Sequence, residues 1–207
     1  MLKRARRTIR TAWGRPFKSR EGSWSGEGSW ASDWRAPALA ALLGCSVVGC
    51  GSDGPTEPEA ASLPELFGDQ LFLADGSPVG VGALANTPLI GIYFASPGCP
   101  ACGAFNPILR DAYDQMKEDG KPFEVVLVTL GVTESAMFDY MVETGMLWLA
   151  LSSQGTHANA LAHRYDIRWV PTVIIIDGAG NTISVTGREE VTRSGAAAYE
   201  AWLAKGG

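Results

Sequence analysis

The sequence predicts a three-layer α/β domain, and three observations carry that reading. Pro88–Phe94 and Phe123–Leu130 are nearly continuous apolar runs, the pattern of strands buried on both faces. Between them, Phe105, Leu109, Ala112, Tyr113 and Met116 recur at helical spacing, one apolar face turned to a sheet. Further on, two short β-type runs flank Asp177-Gly178-Ala179-Gly180-Asn181, a hairpin signal.

The folded part is expected to start near Ser62. Gln70–Ala74 reads as a short strand and Asp75-Gly76-Ser77-Pro78 as a turn, after which Pro88–Phe94 is the first buried strand. A helix over Cys102–Glu118 is stopped by Gly120, and Pro107 in its early turns kinks it rather than forbidding it. Phe123–Leu130 is expected to be central and parallel. Thr133 caps a helix running to Thr144, and a second short helix is expected over Ala158–Tyr165. Thr172–Ile176 and Thr182–Thr186 form the hairpin, and Ser194–Ala204 closes the chain as a helix.

Cys99 and Cys102 stand at the junction of the first buried strand and the first long helix, in Ser96-Pro97-Gly98-Cys99-Pro100-Ala101-Cys102. A thiolate is the attacking species in disulfide exchange, and a helix N-terminus offers unpaired N–H groups and partial positive charge that favour it. The spacing lets the second sulfur reach back and resolve a mixed disulfide. The reading is a redox-active Cys99–Cys102 pair that needs no cofactor. The same spacing is half a zinc site, and an inert surface pair is a further alternative. No second half follows: Cys45 and Cys50 lie in a different segment, and His157 and His163 are poorly spaced for a metal and read as surface or capping side chains. No metal site is expected.

Charge divides the chain. Residues 1–50 hold nine Lys/Arg and three Asp/Glu, which leaves −11 on the other 157 out of −5 overall. An acidic globular part argues against a nucleic-acid partner, because phosphate contacts need a basic face. Residues 1–35 are expected to be a basic, low-complexity extension that is disordered or missing from the mature protein. Residues 36–50 form a small, apolar, signal-like segment, too short for a comfortable membrane span. It ends in Val47-Val48-Gly49-Cys50, with Leu42-Leu43-Gly44-Cys45 overlapping. Both resemble the lipobox of bacterial lipoproteins, in which the cysteine is lipidated. Cys50 is preferred over Cys45 because it leaves a longer apolar core and precedes a flexible tether over residues 51–61. A Cys45–Cys50 disulfide, or an organelle transit peptide, would account for the same residues differently. The folded domain then covers residues 62–207.

Val170-Pro171-Thr172 supplies a second anchor, a proline just before a strand. Together with Cys99-Pro100-Ala101-Cys102 it resembles the thioredoxin-like superfamily, in which that proline is cis and faces the dithiol. Tyr93-Phe94-Ala95-Ser96, Phe105-Asn106-Pro107, Phe123-Glu124-Val125-Val126, Trp148-Leu149-Ala150-Leu151, Leu161–Ile167 and Pro171–Asp177 look like its tryparedoxin and nucleoredoxin branch. The resemblance implies a three-layer α/β/α fold with a central mixed sheet. It further implies a thiol–disulfide oxidoreductase in which Cys99 attacks, Cys102 resolves and Pro171 shapes the surface that meets substrate backbone. Gly98, Pro100, Ala101, Trp169 and Val170 are the expected substrate-contacting residues.

Three departures from that family pattern matter. Gly98 replaces a Trp that lids the dithiol, and Ala101 replaces a second proline, which frees an N–H at the helix start. Tyr93 stands where thioredoxin itself has a buried carboxylate, so the proton relay has no obvious residue.

Trp148 is expected to pack in the core and the pair Glu189-Glu190 to be a solvated face. The whole reads as a monomeric oxidoreductase acting on protein thiols and disulfides. It is expected to be lipid-anchored in a bacterial cell envelope, facing periplasm or exterior, and to draw electrons from a membrane-bound donor. The rivals are a copper chaperone, a thiol peroxidase and a non-catalytic binding lipoprotein on the same fold.

Overall fold

The computed structural model describes residues 61–206. The expectations for residues 1–35, the apolar segment 36–50 with Cys45 and Cys50, and nearly all of the tether lie outside them. The short helix α1 (Leu63–Phe67) opens the fold, its Glu65 carboxylate accepting from both the N–H and the hydroxyl of Ser62. Strands β1 (Gln70–Phe72) and β2 (Pro78–Gly80) pair antiparallel across the expected turn, where Asp75 accepts from the Ser77 N–H. Then come β3 (Leu89–Phe94), α2 (Pro100–Glu118), β4 (Phe123–Val128) and α3 (Glu134–Thr144). After β5 (Leu149–Ala150) and α4 (Thr156–Arg164), the hairpin strands β6 (Thr172–Asp177) and β7 (Thr182–Ser184) lead into α5 (Gly187–Ser194) and α6 (Ala198–Gly206).

The seven strands form one mixed sheet in the order β2-β1-β5-β4-β3-β6-β7. β4 lies at its centre, parallel to β3 and β5, with α2 and α3 as the crossovers. β6 runs antiparallel to β3, and β7 to β6. Side chains alternate across the sheet, so each strand feeds two cores. Leu89 and Tyr93 of β3 join α2, α3, α5 and α6 on one face, while Ile90, Ile92 and Phe94 join α1 and α4 on the other. That is the three-layer arrangement the apolar runs imply.

The local signals for α2 and α3 hold. Pro100 occupies the first position of α2, where its missing N–H costs nothing, and Gly120 carries the positive φ of 70° that ends the turn beyond it. Thr133 caps α3 by accepting from the Ala136 N–H, and Gly145 closes it at φ 66°.

Two expectations are corrected. The end of the chain is not one helix over 194–204: α5 and α6 are separated by a turn at Gly195–Ala197, because Gly195 leaves the right-handed region at φ 53°. Glu190 is not part of a solvated face. Its carboxylate accepts from the Ser184 hydroxyl at 2.7 Å, the Trp202 indole N–H at 2.6 Å and the Lys205 ammonium at 2.8 Å, which pins α5 to β7 and α6. Gly187 makes that docking possible. A Cβ there would stand 2.9 Å from the Val173 carbonyl oxygen, so only glycine lets α5 start so close to β6.

Candidate dithiol site

The carboxyl end of β3 delivers the chain to the first turn of α2, and both cysteines sit at that junction. Gly98 has a φ of 72°, a conformation that favours glycine, and it turns the chain so that Cys99 becomes the N-cap of α2. The Cys99 sulfur accepts from the Cys102 N–H at 3.2 Å. Cys102, one turn in, points to the core and is wholly buried, whereas Cys99 is partly exposed. Their sulfurs are 2.6 Å apart as free thiols, within reach of the bond that oxidation would close.

The two thiols are biased in opposite directions. Burial works against ionisation of Cys99, but the Cys102 thiol, the N–H groups of Cys102 and Ala101, and the Arg188 charge together outweigh it and hold its pKa below the ordinary thiol value. The Ala101 N–H is the donor that a second proline would have removed. For Cys102, burial first and the neighbouring Cys99 second push the pKa up to about 12. Alkylation of Cys99 is therefore expected to rise with pH through a midpoint below the free-thiol value of about 8.5, and Arg188→Gln is expected to move that midpoint upward. Thiolate absorbance followed through a pH titration measures both, and a midpoint at or above the free-thiol value would count against the assignment.

The second anchor arrives on the neighbouring strand, where Thr172 of β6 pairs with Phe94 at the end of β3. The Val170–Pro171 bond is cis, as expected, and the Val170 carbonyl lies 3.8 Å from the Cys99 sulfur. Pro171 is buried, while Gly98, Pro100 and Ala101 are exposed. Trp169 is 72% exposed and lines, with Pro171, Thr172, Val185 and Arg188, a groove of about 210 Å³. The Arg188 guanidinium sits 6.0 Å over the Phe105 ring, one turn beyond the dithiol on α2.

Tyr93 occupies the core just beneath. Its hydroxyl donates to the Asn106 carbonyl oxygen, and the Asn106 amide donates to the Tyr140 hydroxyl at 2.9 Å. Asn106, Tyr140 and Arg188 are site residues that sequence reasoning missed. A polar Asn106 on the apolar stripe of α2 was the available signal. Arg188 had none, since α5 itself is not legible as a helix. The histidines stand elsewhere: His157 lies against Gly68, and His163 lines a pocket with Asp166 and Arg168. Among the described residues no three His, Cys, Asp or Glu side chains gather as a metal would require. Trp148 packs in the core, its ring edge-on to Tyr93 and Tyr113.

Comparison with known proteins agrees with the fold. A family model described as thioredoxin-like matches residues 87–182. Nucleoredoxin of Xenopus laevis is 37% identical over 105 residues, half of this chain and 25% of that protein. Among solved structures, thioredoxin related protein 16 of Carcinoscorpius rotundicauda is 34% identical with a TM-score of 0.59, covering 67% of this chain and 97% of that one. Tryparedoxin from Trypanosoma brucei is 28% identical with a TM-score of 0.58, covering 68% and 96%. The chain belongs to the thioredoxin-like family, in its tryparedoxin and nucleoredoxin branch. It spans 24% to 33% of the length of the curated nucleoredoxins it matches.

Proposed function

We propose that the protein is a thiol–disulfide oxidoreductase that exchanges disulfides with protein clients through Cys99 and Cys102. The supporting observation is the opposite bias of the adjacent thiols: Cys99, beside the Val170 carbonyl, is partly exposed and favoured as thiolate, and Cys102 is buried and held protonated. The Cys99 thiolate attacks one sulfur of a client disulfide. A bond forms between Cys99 and that sulfur, the client S–S bond breaks, and the released client thiolate takes up a proton. Cys102 then attacks the Cys99 sulfur, closing the Cys99–Cys102 disulfide and releasing the second client thiol. The client gains two electrons and two protons, and the dithiol loses them; run in reverse, the same steps oxidise a client. Cysteine-to-serine variants that trap or fail to trap the mixed disulfide test this reading, with the outcome argued in the Discussion.

The groove at Trp169, Pro171 and Arg188 is the surface a client segment would meet, together with the exposed Gly98, Pro100 and Ala101 beside the dithiol and the Val170 carbonyl. Lipid attachment at Cys50, with Cys45 as the alternative, would hold the domain at a bacterial envelope membrane, where a membrane-bound donor returns two electrons per turnover. The support is the sequence of the segment that ends at Cys50. Each buried lipid methylene contributes about 0.8 kcal/mol, so multiple acyl chains suffice as an anchor. Mass spectrometry is expected to find the mature chain starting at a lipidated Cys50, and Cys50→Ser is expected to release it from membranes with exchange intact. An unmodified Cys50 with the upstream segment retained would remove the anchor and leave the redox reading standing.

A further inference from the structure

Below the dithiol lies a group of buried polar side chains that the exchange steps above do not use. Asn106 is four residues after Cys102 and on the same face of α2, one turn beneath the resolving cysteine along the helix and beside the buried Phe105. It is 4% exposed, and Tyr93 and Tyr140, its partners from β3 and α3, are 0% and 7% exposed. One amide thus bridges three elements: it accepts from Tyr93 and donates to Tyr140. Among the described residues no carboxylate is buried.

We propose that the Tyr93–Asn106–Tyr140 network positions Cys102 for the resolving step, and that this centre resolves mixed disulfides without an internal base. The proposal rests on the exchange reading above. Asn106 acts through Cys102 and is a positioning residue: its two bonds fix the second turn of α2 against β3 and α3, and with it the approach of the Cys102 sulfur to Cys99. A hydrocarbon side chain at 106 would take from the buried Tyr93 hydroxyl its amide acceptor and leave it only the Tyr140 phenol, and the turn that carries Cys102 would shift to relieve the loss.

The groups that act on the Cys102 thiol are Cys99 in its own turn, the Ser96 backbone and Arg188 from α5, and the phenols of Tyr93 on β3 and Tyr140 on α3 respond to its charge. Burial first, then the neighbouring phenol and thiols, lift the Tyr93 pKa far above the phenol range. Burial likewise raises that of Tyr140. Neither phenol loses its proton at working pH, so neither serves as a base. The proton of Cys102 therefore goes to the departing client sulfur: the Cys99–Cys102 bond forms, the Cys99–client bond breaks, and the client leaves as a thiol. No outside base, oxidant or reductant enters the step.

The test separates the two steps in the full-length protein by quenching a single turnover with a disulfide-bonded client and quantifying the mixed disulfide by mass spectrometry across pH 4–9. In the wild type the resolving rate is expected to show no ionisation in the carboxylate range. Asn106→Leu is expected to slow resolution about tenfold while Cys99 alkylation keeps its rate and pH midpoint. Asn106→Asp, which preserves shape and both bonds when protonated, is expected to recover the rate at low pH and to introduce a carboxylate-range ionisation. Should Asn106→Leu not fold, Tyr140→Phe removes only the terminal hydroxyl and is expected to slow resolution several-fold. Resolution at the wild-type rate in the variants that fold would overturn the proposal, as would equal slowing of both steps or a carboxylate-range ionisation in the wild type. Failure of the wild type to form any mixed disulfide would instead overturn the exchange reading.

Discussion

Cys102→Ser is expected to accumulate covalent mixed disulfides with client proteins, and Cys99→Ser is expected to accumulate none and to lose exchange down to the uncatalysed background. The asymmetry follows from exposure and charge together. Cys99 is partly exposed and its thiolate is favoured by the Cys102 thiol, two backbone N–H groups and the Arg188 charge. A client sulfur can approach it beside the Val170 carbonyl. Cys102 is 0% exposed and its burial holds the proton on, so it reaches a sulfur only when Cys99 already carries one. Removing Cys102 stops the reaction after the first bond change, with the client still attached. Removing Cys99 leaves a thiol that is neither accessible nor ionised. Non-reducing electrophoresis followed by mass spectrometry of the trapped species checks the outcome. Equal trapping by the two variants would mean that the attacking and resolving roles are not divided as proposed.

The parts of this site that rest on local chemistry were legible in the sequence. A dithiol between a buried strand and a helix, and a proline opening a later strand, are short-range patterns that survive any tertiary context, and both sit where they were expected. The freed N–H at Ala101 is likewise a backbone consequence of one residue type. What escaped depends on contacts distant in the chain. Asn106 meets Tyr140 across 34 positions, and nothing in either residue's neighbourhood signals the other. The resemblance marked Tyr93 only as a missing carboxylate, whereas in the fold it heads a neutral network.

The elements follow the same division. Strands β3, β4 and β6 declare themselves by apolar continuity because they are buried on both faces. The two-residue β5 and the three-residue β2 have too few positions to express a period, and only their neighbours make them strands. Helix α5 reads Gly-Arg-Glu-Glu-Val-Thr-Arg-Ser, with a single large apolar residue, so its sequence resembles a solvated loop. It is held instead through the Glu190 carboxylate and the close approach at Gly187, neither of which hydrophobic patterning detects.

Trp202→Ala is expected to cost about 3–5 kcal/mol, a large share of the roughly 5–15 kcal/mol that stabilises a domain. Trp202 is 0% exposed, its ring lies 5.6 Å from that of Phe123, and its N–H donates to Glu190. The substitution opens a cavity beneath α6 and also removes one of the three donors on Glu190. Glu190→Gln keeps the shape and is expected to cost less, about 1.5–3 kcal/mol, the range for hydrogen bonds to a charged group. Although burial opposes the charge, Lys205, Ser184 and Trp202 hold the Glu190 pKa below the ordinary carboxylate value. A folded pKa below the unfolded one means stability that is full above the unfolded value of about 4.3 and lost as pH falls through the folded one. The wild type should therefore lose this contribution in acid, and Glu190→Gln should lack that part of the pH dependence. Urea unfolding of wild type and both variants at pH 7 and pH 3 measures each quantity, provided the slopes agree. The consequence reaches the dithiol, because α5 carries Arg188 two residues before Glu190. Loosening α5 withdraws that charge, so both variants should also raise the Cys99 midpoint. A Trp202→Ala protein within 1 kcal/mol of wild type and with an unmoved Cys99 midpoint would show that α5 is held by other contacts.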